Sequence, residues 1–415
     1  MHEIIKLSNG VRIICEKIPY VRSAAVGIFV DVGSRDEAPS INGSAHFIEH
    51  MLFKRTSKHS ASELAFEMDA IGGQINAYTT RENTCFYARV LDTHLNTAID
   101  LLSEMFFDCA FDEAETDSER GVILEEIGMY EDTPDDACYE KLMVGCYKGA
   151  LGRPVLGKPV TLAKMSGAGL REFKENYYTA GNIIISLCGN YEDFHVDHIK
   201  ELFSVMEKSR RKSLRQAEYG THITVRRKKT EQNQFCLAFP SSSVTSEDRF
   251  AMNLLTTVLG GGVSSRLFQN IREKHGLCYS IFAFQSTFAD SGLLSVATAV
   301  NKETEVKTLG LIGDELKLFV DKGISEDELK RAREQAKSSL VMSLESTNSR
   351  MLKMGNSLQA LGKCLSSDEL IARYDAVSVE QVLDLARNRF DFSRMSLSAL
   401  GKTASAEDYT KSLGL

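Results

Sequence analysis

Gly43-Ser44-Ala45-His46-Phe47-Ile48-Glu49-His50-Met51-Leu52 is where the chain changes period. Upstream, residues 4–15 and 23–32 read as strands, with Asn9-Gly10 supplying an early turn; from Gly43 to Phe53 the spacing becomes helical. Beyond this segment a second helix is expected at 60–71, strands at 73–78 and 84–90, and long amphipathic helices at 92–109 and 113–130. A strand at 182–188 and a helix near Val205 complete this half. The order then recurs: strands at 221–227 and 234–239, helices at 247–259 and 264–274, strands at 278–286 and 292–300, and helices at 303–322 and 325–343. Such recurrence predicts an α+β fold of two duplicated domains, 1–210 and 221–415, whose mixed or antiparallel sheets are covered by helices. Lys208, Arg210, Arg211, Lys212 and Arg215 make residues 211–220 read as the solvated end of a polar linker.

On a helix, His46, Glu49 and His50 share one face because residues three and four apart stack, while Phe47 and Ile48 point elsewhere. Two imidazoles can hold one metal ion, and the carboxylate between them can deprotonate its water; the order His-x-x-Glu-His is the inverse of the commoner zinc-protease helix. Catalytic zinc takes a third protein ligand and keeps one open position. The helix carrying Glu119, Glu125 and Glu126 is the best source. Glu119 and Glu126 are two turns apart, about 10.5 Å of rise, too far for both to bind one ion directly. Composition does not choose between Glu125 and Glu126, although a face shared with Val122 and Tyr130 mildly favours Glu126. Eleven acidic residues lie between Asp112 and Asp136, so each alone reads as part of a solvated acidic helix. His195 and His198 lack a third ligand and read as a polar helix.

A chain of 415 residues with 43% hydrophobic and 26% charged residues can bury more than one core. Its net charge of -8 offers no basic excess for displacing phosphate counterions, which argues against a nucleic-acid binder. Nine scattered cysteines form neither a disulfide framework nor a metal knuckle, and Cys15, Cys109, Cys188 and Cys236 sit in apolar runs typical of a core. With no signal-like N-terminus and no apolar run of about 18 residues, the expected location is cytoplasmic, without membrane association.

The histidine segment resembles the pitrilysin and insulinase family of zinc peptidases, particularly the short two-domain branch that includes the catalytic beta subunit of the mitochondrial processing peptidase. That family places a distal glutamate 76 residues after the second histidine, which from His50 is Glu126, and another glutamate seven residues earlier, here Glu119. The resemblance implies one zinc ion per chain on His46, His50 and Glu126, Glu49 as general base, and a supporting role for Glu119. It also implies that Arg272 and Tyr279 bind the substrate backbone and stabilise the tetrahedral intermediate, and that Asn76 and Ala77 face an extended peptide. On composition alone, Arg272 is a surface cation, Tyr279 a half-buried phenol and 72–80 an ordinary strand. Gly260-Gly261-Gly262 lacks the spacing of a nucleotide loop and reads as a tight turn, with peptide contact as what the resemblance adds. In larger members, the metal and Arg/Tyr elements lie on opposite halves of a clamshell. The implied arrangement for this shorter chain is therefore half of such a clamshell, completed as a homodimer with composite sites. The reaction implied is endopeptidase hydrolysis of extended peptides; the alternative is a noncatalytic peptide-binding or partner-dependent subunit.

Overall fold

The alternating and helical runs fold in the same order twice in the computed structural model, which describes residues 2–214 and 216–414. The first repeat runs β1 (Glu3–Lys6), β2 (Arg12–Lys17), β3 (Ser23–Val30), α1 (Ser44–Leu52), α2 (Ala61–Ala70), β4 (Gln74–Thr79), β5 (Thr84–Leu91), α3 (Leu95–Asp108), α4 (Glu113–Asp132) and α5 (Pro134–Cys146). It continues through β6 (Tyr147–Lys148), α6 (Pro159–Leu162), α7 (Gly167–Tyr177), β7 (Ile183–Gly189) and α8 (Asp193–Ser204). The second runs β8 (Glu218–Tyr219), β9 (Ile223–Arg227), β10 (Asn233–Pro240), α9 (Arg249–Gly260), β11 (Cys278–Thr287), β12 (Gly292–Val300), α10 (Glu305–Lys322) and α11 (Glu326–Ser343). It ends with α12 (Thr347–Leu361), α13 (Ser367–Asp375), α14 (Val379–Arg389), β13 (Ser396–Gly401) and α15 (Ala406–Leu413).

The duplication is visible in the sheets. Strand order is β1-β2-β7-β3-β5-β4 in one and β9-β13-β10-β12-β11 in the other, so β2, β7, β3, β5 and β4 correspond to β9, β13, β10, β12 and β11. Each sheet is mixed, with a single parallel pair at the equivalent place, β2 with β7 and β9 with β13. Strand β4 is an open edge of the first sheet and β11 the equivalent edge of the second. The central strand β3 is buried along almost its whole length, as expected of a strand covered on both faces.

The compact units do not follow the halves of the sequence. Gly128–Gly152 belongs with the second repeat, and Val341–Ser366 with the first. Thus α5 sets Cys138, Leu142 and Met143 against Cys236, Ala238 and Leu400 of the second sheet, while α12 sets Met351, Met354 and Leu358 against Ile14, Phe29 and Ile184 of the first. The trade is symmetric, because α5 packs on β10 and β13 and α12 packs on their counterparts β3 and β7. Two glycines permit the second docking. A Cβ on Gly27 would lie 2.6 Å from Met351 Sδ, and one on Gly355 would enter the ring of Phe29.

Two local expectations need correction. Residues 264–274 do not form an ordinary α-helix: Phe268–Lys274 is π-helical, a wider coil that turns the Arg272 side chain back over Phe268. The connector is also less free than its charge suggests. Ser209 N–H donates to Asn9 O (3.1 Å), Lys212 N–H to Asn182 Oδ1 (3.0 Å), and the Arg211 and Lys212 side chains pair with Asp31 and Asp36. All nine cysteines are free and seven are buried. Among the described residues, no helix is long and apolar enough to cross a membrane.

Candidate metal centre

Helix α1 is fixed before it presents any ligand. Its start needs glycine: Gly43 has φ 107°, and a Cβ there would press on Leu162 Cδ2 at 2.9 Å and Gly157 Cα at 3.0 Å. The buried Glu37 carboxylate caps the first turn, accepting from Gly43 N–H (2.7 Å), Ala45 N–H (2.8 Å) and Asn42 Nδ2 (2.7 Å). Burial pushes Glu37 up to about 8 against those three donors. On the far face Ala45, Phe47, Ile48, Met51 and Leu52 are buried to within 1%. Full burial of Phe47 or Ile48 contributes about 1.5–3 kcal/mol. Together these contacts leave His46, Glu49 and His50 on the remaining face.

Helix α4 brings the third group. Its buried stripe is Thr116, Glu119 and Ile123, with Glu126 one turn further and half-buried, while Glu125 is exposed. Arg120 fastens the helix by donating to Leu162 O (3.0 Å) and Met165 O (2.6 Å). Glu126 Oε2 lies 3.6 Å from His46 Nε2 and 3.5 Å from His50 Nε2, and the three ligand atoms fall within 4.8 Å of one another. Zinc bonds of about 2.0–2.1 Å at tetrahedral angles require ligand atoms about 3.3–3.5 Å apart, and the two separations from Glu126 lie close to that range, so two imidazoles and a carboxylate here suit zinc. It is the single such cluster among the described residues. His195 is used locally, at the start of α8 with Glu192, and His198 pairs with Asp100 at 2.5 Å.

The surrounding charges orient these side chains. Glu119 Oε1 meets His50 Nδ1 at 2.8 Å, which turns His50 Nε2 toward Glu126; Glu119 Oε2 is in turn paired with Lys54 Nζ at 2.5 Å. Burial, and secondarily the neighbouring His50, lowers His46 to about 4, so its imidazole is neutral at pH 7. Burial also opposes charge on His50, but hydrogen bonds to Glu126 and Glu119 overcome it and raise that group. Glu126 is held low, first by its bond to His50. Burial raises Glu49, against a hydrogen bond from Thr79 Oγ1 to Glu49 Oε2 at 2.5 Å. The result is a half-buried carboxylate one residue from His50 that holds a proton more readily than a solvated one.

Thr79 closes strand β4, the open edge on which Asn76 and Ala77 sit. At the adjoining turn Thr80 N–H bonds Asn83 O (2.7 Å), and the register pairs Tyr78 with Cys85 and Asn76 with Tyr87. Antiparallel pairs alternate, so Gln74, Asn76 and Tyr78 bond β5, while Ile75, Ala77 and Thr79 turn their N–H and C=O groups to the open edge. The Ala77 N–H is covered by its neighbour's Asn76 Oδ1 at 2.8 Å.

Arg272 and Tyr279 lie in the other unit, where they come together: the Arg272 guanidinium stacks 4.5 Å from the Phe268 ring and 5.1 Å from Tyr279. Tyr279 is 81% exposed, beside an irregularity in the pairing of edge strand β11. The expectation of a half-buried phenol is therefore corrected. The glycine turn before it is tight, with Gly260 packed against Ala283 and Gly261 O accepting from Gln335 Nε2 at 2.8 Å.

Comparison with known proteins agrees with this geometry. Residues 12–159 match the family described as Insulinase (Peptidase family M16), and residues 164–336 match its Peptidase M16 inactive domain. The uncharacterized zinc protease YmxG of Bacillus subtilis is 42% identical over 96% of this chain and 98% of its own length. This chain belongs to the insulinase family, peptidase family M16. An uncharacterized zinc protease of Mycobacterium leprae is 37% identical over 98% of this chain and 93% of its own. The M16 fold is seen again in a protease from Helicobacter pylori (TM-score 0.87, 20% identity, 97% of this chain and 99% of that one). It is also seen in a peptidase M16 inactive domain from Pseudomonas fluorescens (TM-score 0.89, 19% identity, 97% and 99%).

Proposed function

We propose that this M16 zinc metalloprotease is an endopeptidase acting on extended or unfolded peptides, with zinc held by His46, His50 and Glu126 and with Glu49 as general base. The observation that carries the reading is the convergence of two imidazoles and a carboxylate from α1 and α4 within 4.8 Å, with a second carboxylate beside them. When bound there, zinc supplies Lewis acidity to the scissile carbonyl and lowers the pKa of water toward about 7. Glu49 takes the proton of the attacking water as its oxygen bonds the carbonyl carbon, and returns it to the amine as the C–N bond breaks. Glu119 holds His50 in the tautomer that directs Nε2 inward, and Lys54 keeps that buried carboxylate paired.

The peptide lies as an added strand on β4, its backbone bonding the open-edge groups of Ile75, Ala77 and Thr79, with Asn76 beside it. Displacing Asn76 Oδ1 from the Ala77 N–H is part of that binding. Such pairing selects an extended backbone and is tolerant of side chains. Arg272 and Tyr279 supply a charge-assisted contact to substrate and a phenolic donor that strengthens as charge grows on the carbonyl oxygen. Those two groups come from a second copy of the chain, making a homodimer of composite sites. The protein acts in the cytoplasm.

Peptides blocked at both ends test the endopeptidase reading, which predicts internal cuts in unfolded peptides and none in folded proteins. Complementation tests the composite site. Inactive Glu49→Gln and Arg272→Ala proteins, mixed and allowed to exchange subunits, should recover about a quarter of wild-type activity, because half the dimers are mixed and each then holds one intact site. Recovery of none, with exchange verified, contradicts composite sites.

A further inference from the structure

The chain carries a hydroxyl that touches the base and belongs to the edge strand. Thr79 Oγ1 is 2.5 Å from Glu49 Oε2 and 3.4 Å from Thr84 Oγ1. Thr84 spends its own proton on Val32 O at 3.0 Å, which leaves its oxygen only as an acceptor. The single Thr79 proton therefore has two acceptors to choose from, and distance and charge both select the carboxylate. One oxygen of Glu49 is pinned in this way. Thr79 is itself held by its place opposite Thr84 at the closed end of the β4–β5 hairpin, so the hydroxyl sits on sheet and not on a mobile loop. It is also the last of the open-edge residues, in line with Ala77 and Ile75.

We propose that Thr79 is the positioning residue of the reaction: its hydroxyl fixes the Glu49 carboxylate relative to the edge strand, so that the peptide bond aligned on β4 and the base that serves it share one frame. This rests on the reading of Glu49 as general base and of β4 as the substrate strand. Without the hydroxyl, the carboxylate rotates on its stem while its neighbours His46 and His50 stay anchored by α1. The chemistry then suffers, and substrate affinity and metal content do not.

The test compares Thr79→Val, Thr79→Ser and Glu49→Gln with wild type, measuring kcat and KM on an unfolded peptide together with zinc stoichiometry and Tm. Val keeps the shape and removes the donor, and Ser keeps the donor. Because a displacement of about 1 Å at a catalytic group costs about a hundredfold, Thr79→Val should lose about 10- to 100-fold in kcat. KM should stay within about threefold, the pattern of an interaction used only in the transition state. Zinc and Tm should match wild type, and Thr79→Ser should recover most of kcat. A Thr79→Val protein with wild-type kcat overturns the proposal. So does equal impairment of the Val and Ser forms, or loss of zinc by the Val form, since either would assign Thr79 to packing or to the metal helix. The Glu49→Gln protein separates the two claims. If it is inactive while Thr79→Val is fully active, only the role of Thr79 fails; if it is as active as wild type, the base assignment fails first.

Discussion

Gly355→Ala should destabilise the first unit, although alanine is a better helix former than glycine. Gly355 lies inside α12, the helix from late in the chain that covers the first sheet. A Cβ there would fall 2.7 Å from Phe29 Cδ2 and closer still to Cε2 and Cζ, well inside van der Waals contact. Phe29 is completely buried, with Ile14, Ala25, Cys85 and Ile184 around it, so its ring has no room to swing away. Overpacking of this kind costs about 1–3 kcal/mol, and the gain in helix propensity returns about 0.8–1.0 kcal/mol. The expected net loss is about 0–2 kcal/mol, weighted toward the upper end because the ring is immobile. Gly121→Ala is the control. Gly121 is exposed in α4 with nothing within 4 Å of a Cβ, so it should gain up to about 1 kcal/mol. Urea denaturation followed by hydrogen exchange at β3 and α12 reads both changes in the unit concerned. If Gly355→Ala stabilises as much as Gly121→Ala, α12 is not seated on β3 and the reciprocal exchange of helices is wrong.

Three further outcomes follow from the site and its supports. Glu119→Gln should weaken zinc binding about 10- to 100-fold, read by competition with a chromogenic chelator, because the partner that orients His50 is lost; unchanged affinity would remove Glu119 from the metal site. Ala77→Pro removes an open-edge N–H and no ladder bond, so the protein should keep its fold and zinc while kcat/KM on unfolded peptides falls about tenfold or more. Retained kcat/KM would place the substrate elsewhere. In the second unit, burial disfavours charge on Glu328, yet a two-point pair with Arg266 (2.7 and 3.0 Å) and the Ser325 N–H hold it down at about 2. A depressed carboxylate contributes stability that is full above about pH 4.5 and is lost as pH falls toward 2. Arg266→Met should flatten that acid limb, and an unaltered limb would show that the pair contributes nothing.

How far the sequence could be read depended on whether a signal was local. His46, Glu49 and His50 follow from helical spacing alone, and the doubled order of strands and helices from period. The preference for Glu126 over Glu125 is not a local signal. The face shared with Val122 and Tyr130 is a poor reason, since both are exposed; the buried stripe is Thr116, Glu119 and Ile123, which only packing reveals. Thr79 is not legible because it meets α1 thirty residues away through folding, and Glu37, although only six to eight residues before the N–H groups it caps, lies outside the usual capping position, so nothing around residue 37 marks its carboxylate for that use. The exchange of α5 and α12 was equally hidden: amphipathic spacing says that a face is buried, not which sheet buries it. The π-helical turn at 268–274 has the apolar spacing of a regular helix and differs only in how the backbone closes.

Glu49 as general base at a zinc centre is tested by comparing zinc-loaded wild type with Glu49→Gln on a library of unfolded peptides, reading bond cleavage by mass spectrometry and metal by elemental analysis. Both proteins should hold one zinc per chain, the wild type should cleave internal bonds, and the variant should lose cleavage. Equal cleavage by the two, with zinc retained, would contradict Glu49 as the base and with it the mechanism built on this centre.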